Sequence, residues 1–160
     1  GLIIPMIKSR KQIDEVISFS CWPPKGKRGV GFSRANLYGK NFENYQIEAQ
    51  EPIIIAQIEH IEALENLEDI ISAKGLNSVF LGPYDLSASM GVTGDFENQK
   101  FKNAIKYFCE TCKKINFPYG IHIVKPNETE LKEKIKQGYQ FIAYSIDAVF
   151  LFENSKLPEI

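Results

Sequence analysis

The stretch Ala56 to Gly91, "AQIEHIEALENLEDIISAKGLNSVFLGPYDLSASMG", carries the alternation that decides the fold. It opens on the end of "PIIIAQI", Pro52 to Ile58, an apolar run of strand length. Ile61, Leu64, Leu67, Ile70 and Ile71 then recur at the spacing that puts them on one face of a helix, and Gly75 stands where such a helix stops. A second apolar run, "SVFLG" (Ser78 to Gly82), follows, with a short helix expected from Tyr84. Strands that read as continuous apolar runs, each separated from the next by a helix, indicate a parallel sheet covered by helices.

The same alternation extends in both directions. Upstream, "GLIIPMI" (Gly1 to Ile7) reads as a strand, and Ser9 to Ser20 as a helix with Ile13, Val16 and Ile17 as its apolar stripe and Ser9 as its cap. Downstream come a long helix from Asp95 to Asn116, a fourth strand "YGIHIV" (Tyr119 to Val124), and a helix carrying Leu131 and Ile135 that closes near Gly138. "FIAYS", Phe141 to Ser145, is the fifth strand. The class is α/β. One long irregular piece interrupts the pattern, Cys21 to Glu51, which begins "CWPPKGKRGVGFSR" and offers a short helix over Asn41 to Gln50. Connections of that length in a compact domain are usually functional or mobile. No linker or low-complexity tract divides the chain, so residues 1–160 are expected to form a single domain.

Composition narrows the function classes. With 160 residues, 44% of them apolar and 24% charged, the chain is long enough to bury a core. Its 19 basic and 20 acidic residues are interleaved to a net charge of −1, which recommends neither nucleic acid nor an anionic membrane as a partner. Small molecules are the expected ligands. No apolar run approaches the roughly 20 residues of a membrane span, and Gly1 to Arg10 lacks the order of a signal peptide, so the expected location is cytoplasmic. The three cysteines make a poor disulfide framework. Cys109 and Cys112 lie within the helical pattern of Phe101, Ile105, Phe108, Cys112 and Ile115, which makes them helix positions with Cys112 in the core. Asn127-Glu128-Thr129 matches a glycosylation acceptor and carries no meaning without a secretory signal.

Two acids stand out. Glu59 ends the strand Pro52 to Ile58, and Asp85 lies a few residues past the next strand. In parallel α/β sheets ligands bind beyond the carboxyl ends of the strands. If the two strands are neighbours, about 4.8 Å apart, both carboxylates reach one point above the sheet. There they would repel unless protonated or bridged by a cation, and an oxygen-ligand site with open positions suits Mg²⁺ or Mn²⁺. The alternative is that each acid simply sits near a helix start, favoured by the macrodipole and the free N–H groups. Gln57 and the Gly82-Pro83-Tyr84 turn are open in the same way, as ligand contacts or as plain structure.

Other motifs are weaker. "GKRGVG", Gly26 to Gly31, has glycines and cations that could cradle a phosphate, but no strand precedes it and no P-loop spacing is present, so a surface turn is expected. His60 is expected at a helix start. His122 shares a strand face with Gly120 and Val124, pointing into the site or serving as a hydrogen-bonded core histidine. No nucleophile-elbow serine and no Cys/His pairing is evident.

Several segments taken together resemble one family. "GLIIPMI", "WPPKGKRGVGFSRA", "AQIEHIEALENL", "VFLGPYDLSASMG" and, more loosely, "GIHI" and "FIAYSID" occur in the order and spacing of the HpcH/HpaI aldolases, metal-dependent pyruvate aldolases. The resemblance covers nearly the whole chain and implies a partial (β/α)₈ TIM barrel, five parallel strands from the fourth strand onward. It makes Glu59 and Asp85 the metal ligands, for Mg²⁺, Mn²⁺ or Co²⁺, and assigns Gln57 and the backbone around Tyr84 and Asp85 to the pyruvate part of the substrate. It implies reversible cleavage of a 4-hydroxy-2-oxo acid to pyruvate and an aldehyde, in a homo-oligomer.

By the same resemblance the family's catalytic His, its supporting Asp and its Arg lie upstream of Gly1, so no catalytic residue is assigned within this chain. Three readings follow: part of an active aldolase, weakly active or inactive alone; a non-catalytic remnant kept for binding or assembly; or a relative of the citryl and malyl thioester lyases. Gly26 to Arg34 is expected near the mouth of the site or at a subunit boundary. The C-terminal run "FLFENSKLPEI" falls where the family has its last helix, and the open edges of five strands are expected to aggregate or to lean on a partner.

Overall fold

The computed structural model describes residues 1–155, so the end of "FLFENSKLPEI", from Lys156 on, lies outside the described residues. Five strands, β1 (Leu2–Ile4), β2 (Ile54–Ile58), β3 (Ser78–Leu81), β4 (Tyr119–Ile123) and β5 (Phe141–Tyr144), pair in chain order. Every pairing is parallel, and the sheet curls into a half-barrel. Between them run α1 (Arg10–Ser20), α2 (Phe42–Glu48), α3 (Ile61–Glu65), α4 (Leu67–Ile71), α5 (Pro83–Ser89), α6 (Gln99–Lys114) and α7 (Glu128–Gln137), and α8 (Asp147–Asn154) follows β5. None of these helices is long and apolar enough to cross a membrane.

Local chemistry sets most of the helix ends. The Ser9 side chain accepts the Gln12 N–H at 3.4 Å while Gln12 Oε1 accepts the Ser9 N–H at 3.2 Å, the reciprocal capping pair that starts α1. The single helix expected over Ile61 to Ile71 is broken in two at Asn66, whose backbone leaves the helical region (φ −100°, ψ 11°). A tertiary contact accompanies the break, because Asn66 Nδ2 donates to the Lys8 carbonyl at 2.9 Å. Leu64, Leu67, Ile70 and Ile71 stay buried across it, so the apolar face survives. The long helix starts at Gln99 rather than Asp95, because the Asn98 side chain accepts the Lys100 N–H at 3.0 Å and caps it there.

The helix-side core forms from alternate strand residues. Ile54, Ala56 and Ile58 of β2, Val79 and Leu81 of β3, and Tyr119 and Ile121 of β4 pack against Ile13, Leu64, Leu67, Ile70, Phe101, Phe108 and Cys112. Each Ile, Leu, Val and Phe among them contributes about 1.5–3 kcal/mol by leaving water. Cys109 and Cys112 are free thiols inside α6, with Cys112 buried, as their spacing implies.

The other set of strand residues faces the concave side and falls into two rows. The lower row, read across β2, β3, β4 and β5, is Gln57, Phe80, Gly120 and Phe141. Gly120 has no side chain to separate its neighbours, so the Phe80 and Phe141 rings meet across it at 5.4 Å. One register step beyond the paired Ile58, Leu81 and Ile121 lies the upper row, Glu59, Gly82, His122 and Ala143.

The apolar edges of the half-barrel are open to solvent. Leu2 and Ile3 on β1, Phe141 on β5, and Phe150, Leu151 and Phe152 on α8 are all exposed.

Gly26 to Arg28, in the Cys21 to Glu51 segment, lies at the amino ends of the strands. α1 runs back toward their amino ends, and there Lys27 and Arg28 donate their backbone N–H groups to the carbonyls of Ser18 and Cys21 at 2.6 and 2.9 Å. The Arg28 guanidinium lies 5.5 Å from the Trp22 ring and 5.7 Å from the Tyr45 ring, and it lines a cleft with Gly1, Leu2 and Ile53. The expectation that this loop borders the mouth is therefore corrected. The Trp22, Phe42 and Tyr45 ring cluster holds it at the opposite end.

Candidate active site

Glu59 directly follows the last residue of β2 and is only 5% exposed. Burial pushes its carboxyl above the usual carboxylate range, a hydrogen bond from the Met6 backbone pulls the other way, and the charge of Asp85 raises it further. Met6 N–H donates to Oε1 at 2.7 Å. The second oxygen, Oε2, accepts no hydrogen bond from the described residues and leans over Gly82, 3.0 Å from where a Cβ on that glycine would stand. Gln57 Nε2 lies 3.2 Å from the same point. Gly82 thus leaves room in which a carboxylate and an amide converge.

This geometry separates the two readings of Glu59. α3 begins at Ile61 with His60 as its cap, and the Glu59 carboxylate bonds a backbone N–H 53 residues away rather than any N–H of that helix. A helix-start role does not account for it. Asp85 is the third residue of α5, behind Pro83 at the first position, and its exposed side chain makes no hydrogen bond to the described residues. That position is favourable for an acid on dipole grounds alone, yet it also carries the charge that Glu59 feels.

The remaining sequence candidates divide. His60 Nδ1 accepts the Glu62 N–H at 3.2 Å and caps α3, which occupies the nitrogen that could have served as a base. His122 stands on the concave face, half-buried, with Nε2 3.4 Å from the Ser145 carbonyl. Tyr84 is exposed beside Asp85. The sequence reading did not find Met6, whose backbone sits in the left-handed region (φ 55°) and turns its N–H toward Glu59. In the sequence Gly82 belongs to the Gly82-Pro83-Tyr84 turn, which is open as a ligand contact or as plain structure.

The donor set fits a hard divalent cation. Glu59 and Asp85 both offer carboxylate oxygens, and among the described residues no three His, Cys, Asp or Glu side chains gather at one point. That suits Mg²⁺ or Mn²⁺, which keep several oxygen ligands from water and substrate, better than the closed N/S sets of structural zinc.

Comparison with known proteins agrees with this architecture. The sequence model of the HpcH/HpaI aldolase/citrate lyase family matches residues 1–153. The chain is 36% identical over 152 residues to a hydroxypyruvate/pyruvate aldolase of Sagittula stellata, covering 94% of this chain and 59% of that protein. It is 34% identical over 151 residues to a 2-keto-3-deoxy-L-rhamnonate aldolase of Klebsiella pneumoniae, covering 92% of this chain and 55% of that one. Among solved structures, an HpcH/HpaI aldolase/citrate lyase family protein from Burkholderia cenocepacia superposes with a TM-score of 0.86 at 26% identity, over 95% of this chain and 60% of its own. The chain therefore spans somewhat more than half the length of these relatives.

Proposed function

This chain belongs to the HpcH/HpaI aldolase/citrate lyase family, and on that premise we propose that it carries the metal-binding and pyruvate-binding part of a divalent-cation-dependent aldolase site. The reaction is the reversible cleavage of a 4-hydroxy-2-oxo acid to pyruvate and an aldehyde. The observation that supports it most directly is the Glu59 carboxylate, buried at a strand end, with Oε1 held by Met6 and Oε2 left free over Gly82.

Glu59 and Asp85 would hold Mg²⁺, Mn²⁺ or Co²⁺ through their carboxylate oxygens. A cation held there would supply Lewis-acid stabilisation of the negative charge that develops on the keto oxygen of a 2-oxo acid as the carbon–carbon bond breaks. Gln57, one alternate position below Glu59 on the same face, would hydrogen-bond the pyruvate portion, together with the backbone at Tyr84 and Asp85. Proton transfer from the 4-hydroxyl needs a base, and the family resemblance puts that His, with its Asp and the Arg that polarises the keto oxygen, upstream of Gly1. Losing general-base catalysis typically costs about 10²–10⁴ in rate, so the 160 residues alone should turn over slowly.

The test is a coupled pyruvate-release assay with Mn²⁺ on this chain, on the chain extended by a family N-terminal segment, and on the extended chain carrying Asp85→Asn. The extended chain should be active and the Asp85→Asn form should lose most of that activity. An extended chain that folds, binds Mn²⁺ and still releases no pyruvate would leave the non-catalytic remnant as the reading.

A further inference from the structure

We propose that the cleft at the amino ends of the strands binds a small monocarboxylic acid with an apolar body, held by the Arg28 guanidinium. Glu59 stands at the carboxyl end of β2, so this inference does not depend on the aldolase reading.

Arg28 carries a charge without a counter-charge. The residue is half-buried, with its guanidinium 5.5 Å from the Trp22 ring and 5.7 Å from the Tyr45 ring. Nη2 donates to the Tyr45 hydroxyl at 3.2 Å, and Nε is shut off from solvent with no acceptor among the described residues. Glu51 lines the same cleft but is drawn to Lys25, 3.0 Å away. A guanidinium partly removed from water, with one neutral acceptor, gains more from an anion than an exposed arginine does. Its backbone is also held in place. Gly26, Lys27 and Arg28 donate their N–H groups to the carbonyls of Trp22, Ser18 and Cys21 at 3.0, 2.6 and 2.9 Å, which pins the turn to the end of α1. Gln50 Nε2 donates to the Pro23 carbonyl at 3.1 Å and ties the same loop to the segment after α2. An arginine positioned before its ligand arrives loses less freedom on binding.

The cleft sets the class of ligand. Its volume of about 620 Å³ suits a small organic molecule. Leu2, Ile47 and Ile53 line it and are exposed, so an apolar body that covers them leaves water with them. A carboxylate presents two oxygens in a plane, which matches the donor fork of a guanidinium. Glu48 and Glu51 stand in the same wall and repel any further negative charge on the ligand. A single carboxylate on an apolar body satisfies all three features, whereas phosphate offers no apolar body and a dicarboxylate brings a second charge.

The readout is the fluorescence of Trp22, the single tryptophan of the chain, titrated with cyclohexanecarboxylate in the wild-type chain, in Arg28→Met and in Arg28→Lys. Cyclohexanecarboxamide, which replaces the carboxylate by a neutral amide, and inorganic phosphate are the comparison ligands. The carboxylate should bind the wild-type chain saturably and about tenfold or more tighter than either of them. Arg28→Met keeps an apolar stem beside the rings and should lose about tenfold in affinity, while Arg28→Lys keeps the charge without the fork and should fall between. Absence of a saturable change with the carboxylate overturns the inference, as does equal binding of the amide or unchanged affinity in Arg28→Met. Phosphate binding as tightly as the carboxylate overturns the ligand class. If Arg28→Met fails to fold, as its melting curve would show, the ratio of carboxylate to amide affinity in the wild-type chain decides. A wild-type chain that takes up no carboxylate and sediments as a dimer, with the dimer lost in Arg28→Lys, overturns the inference in favour of an acidic side chain from a second copy.

Discussion

The backbone N–H of Met6 reaches the Glu59 carboxylate at 2.7 Å, joining the end of the first strand to the end of the second. Met6 does so from a left-handed conformation (φ 55°), which costs a non-glycine residue about 1–2 kcal/mol. Strain at a strand end and a buried acid are thus coupled, and their joint effect is to fix one carboxylate oxygen while the other faces the opening.

Removing either carboxylate should weaken cation binding. Glu59→Gln keeps the Met6 hydrogen bond and Asp85→Asn keeps the helix, so both variants should fold. Each should lower Mn²⁺ affinity by about tenfold or more, read by titration calorimetry or by the signal of free Mn²⁺. Wild-type affinity in both variants would place the cation elsewhere.

Gly82→Ala tests the room that the glycine leaves. The backbone there is ordinary for any residue (φ −99°), but the added Cβ would stand 3.0 Å from Glu59 Oε2 and 3.2 Å from Gln57 Nε2. Overpacking of this kind costs about 1–3 kcal/mol. The expected signature is a moderate drop in melting temperature with a loss of Mn²⁺ affinity. Affinity equal to wild type would show that Glu59 Oε2 is not a ligand.

A pH dependence follows from the raised pKa of Glu59. The unfolded chain titrates this group near 4.5 and the native state titrates it higher, so between those values the native state holds more protons. The stability it contributes is fully present below the unfolded value and is lost as pH rises through the folded one. In EDTA, Glu59→Gln should therefore melt above wild type at neutral pH, and the gap should close toward pH 4.5 and below. A gap that widens in acid would contradict the burial argument.

The C-x-x-C pair should be chemically quiet. Burial raises both thiols, Cys112 to about 12, and Cys109 shares a contact of 3.3 Å with the Tyr139 hydroxyl. At pH 8 neither should react with iodoacetamide until the chain is denatured, as mass spectrometry would show. Rapid modification of Cys112 in the folded protein would mean that α6 opens.

Much of the architecture is written into periodicity. Five apolar runs and the helical stripes between them identify a parallel sheet, because burial on one or both faces dictates which residue spacing can be apolar, and that is a local property of the chain. Cys112 and the Ser9 cap were legible for the same reason. The break at Asn66 was not, since its partner is the Lys8 carbonyl far away in sequence. Nor was the placement of Gly26 to Arg28 at the amino ends of the strands, which depends on ring packing around Trp22.

At the site the division is sharper. The residue types and strand-end positions of Glu59 and Asp85 are sequence properties, and together with family resemblance they name the acids. Sequence alone left open whether Glu59 serves a helix start or a ligand. Tertiary structure removes the helix-start role by giving one oxygen to Met6 and leaving the other over Gly82. It also put His122 rather than His60 in the row with Glu59. Which side chains share a row is decided by strand register, and register is a relation between distant segments that no single stretch of sequence contains.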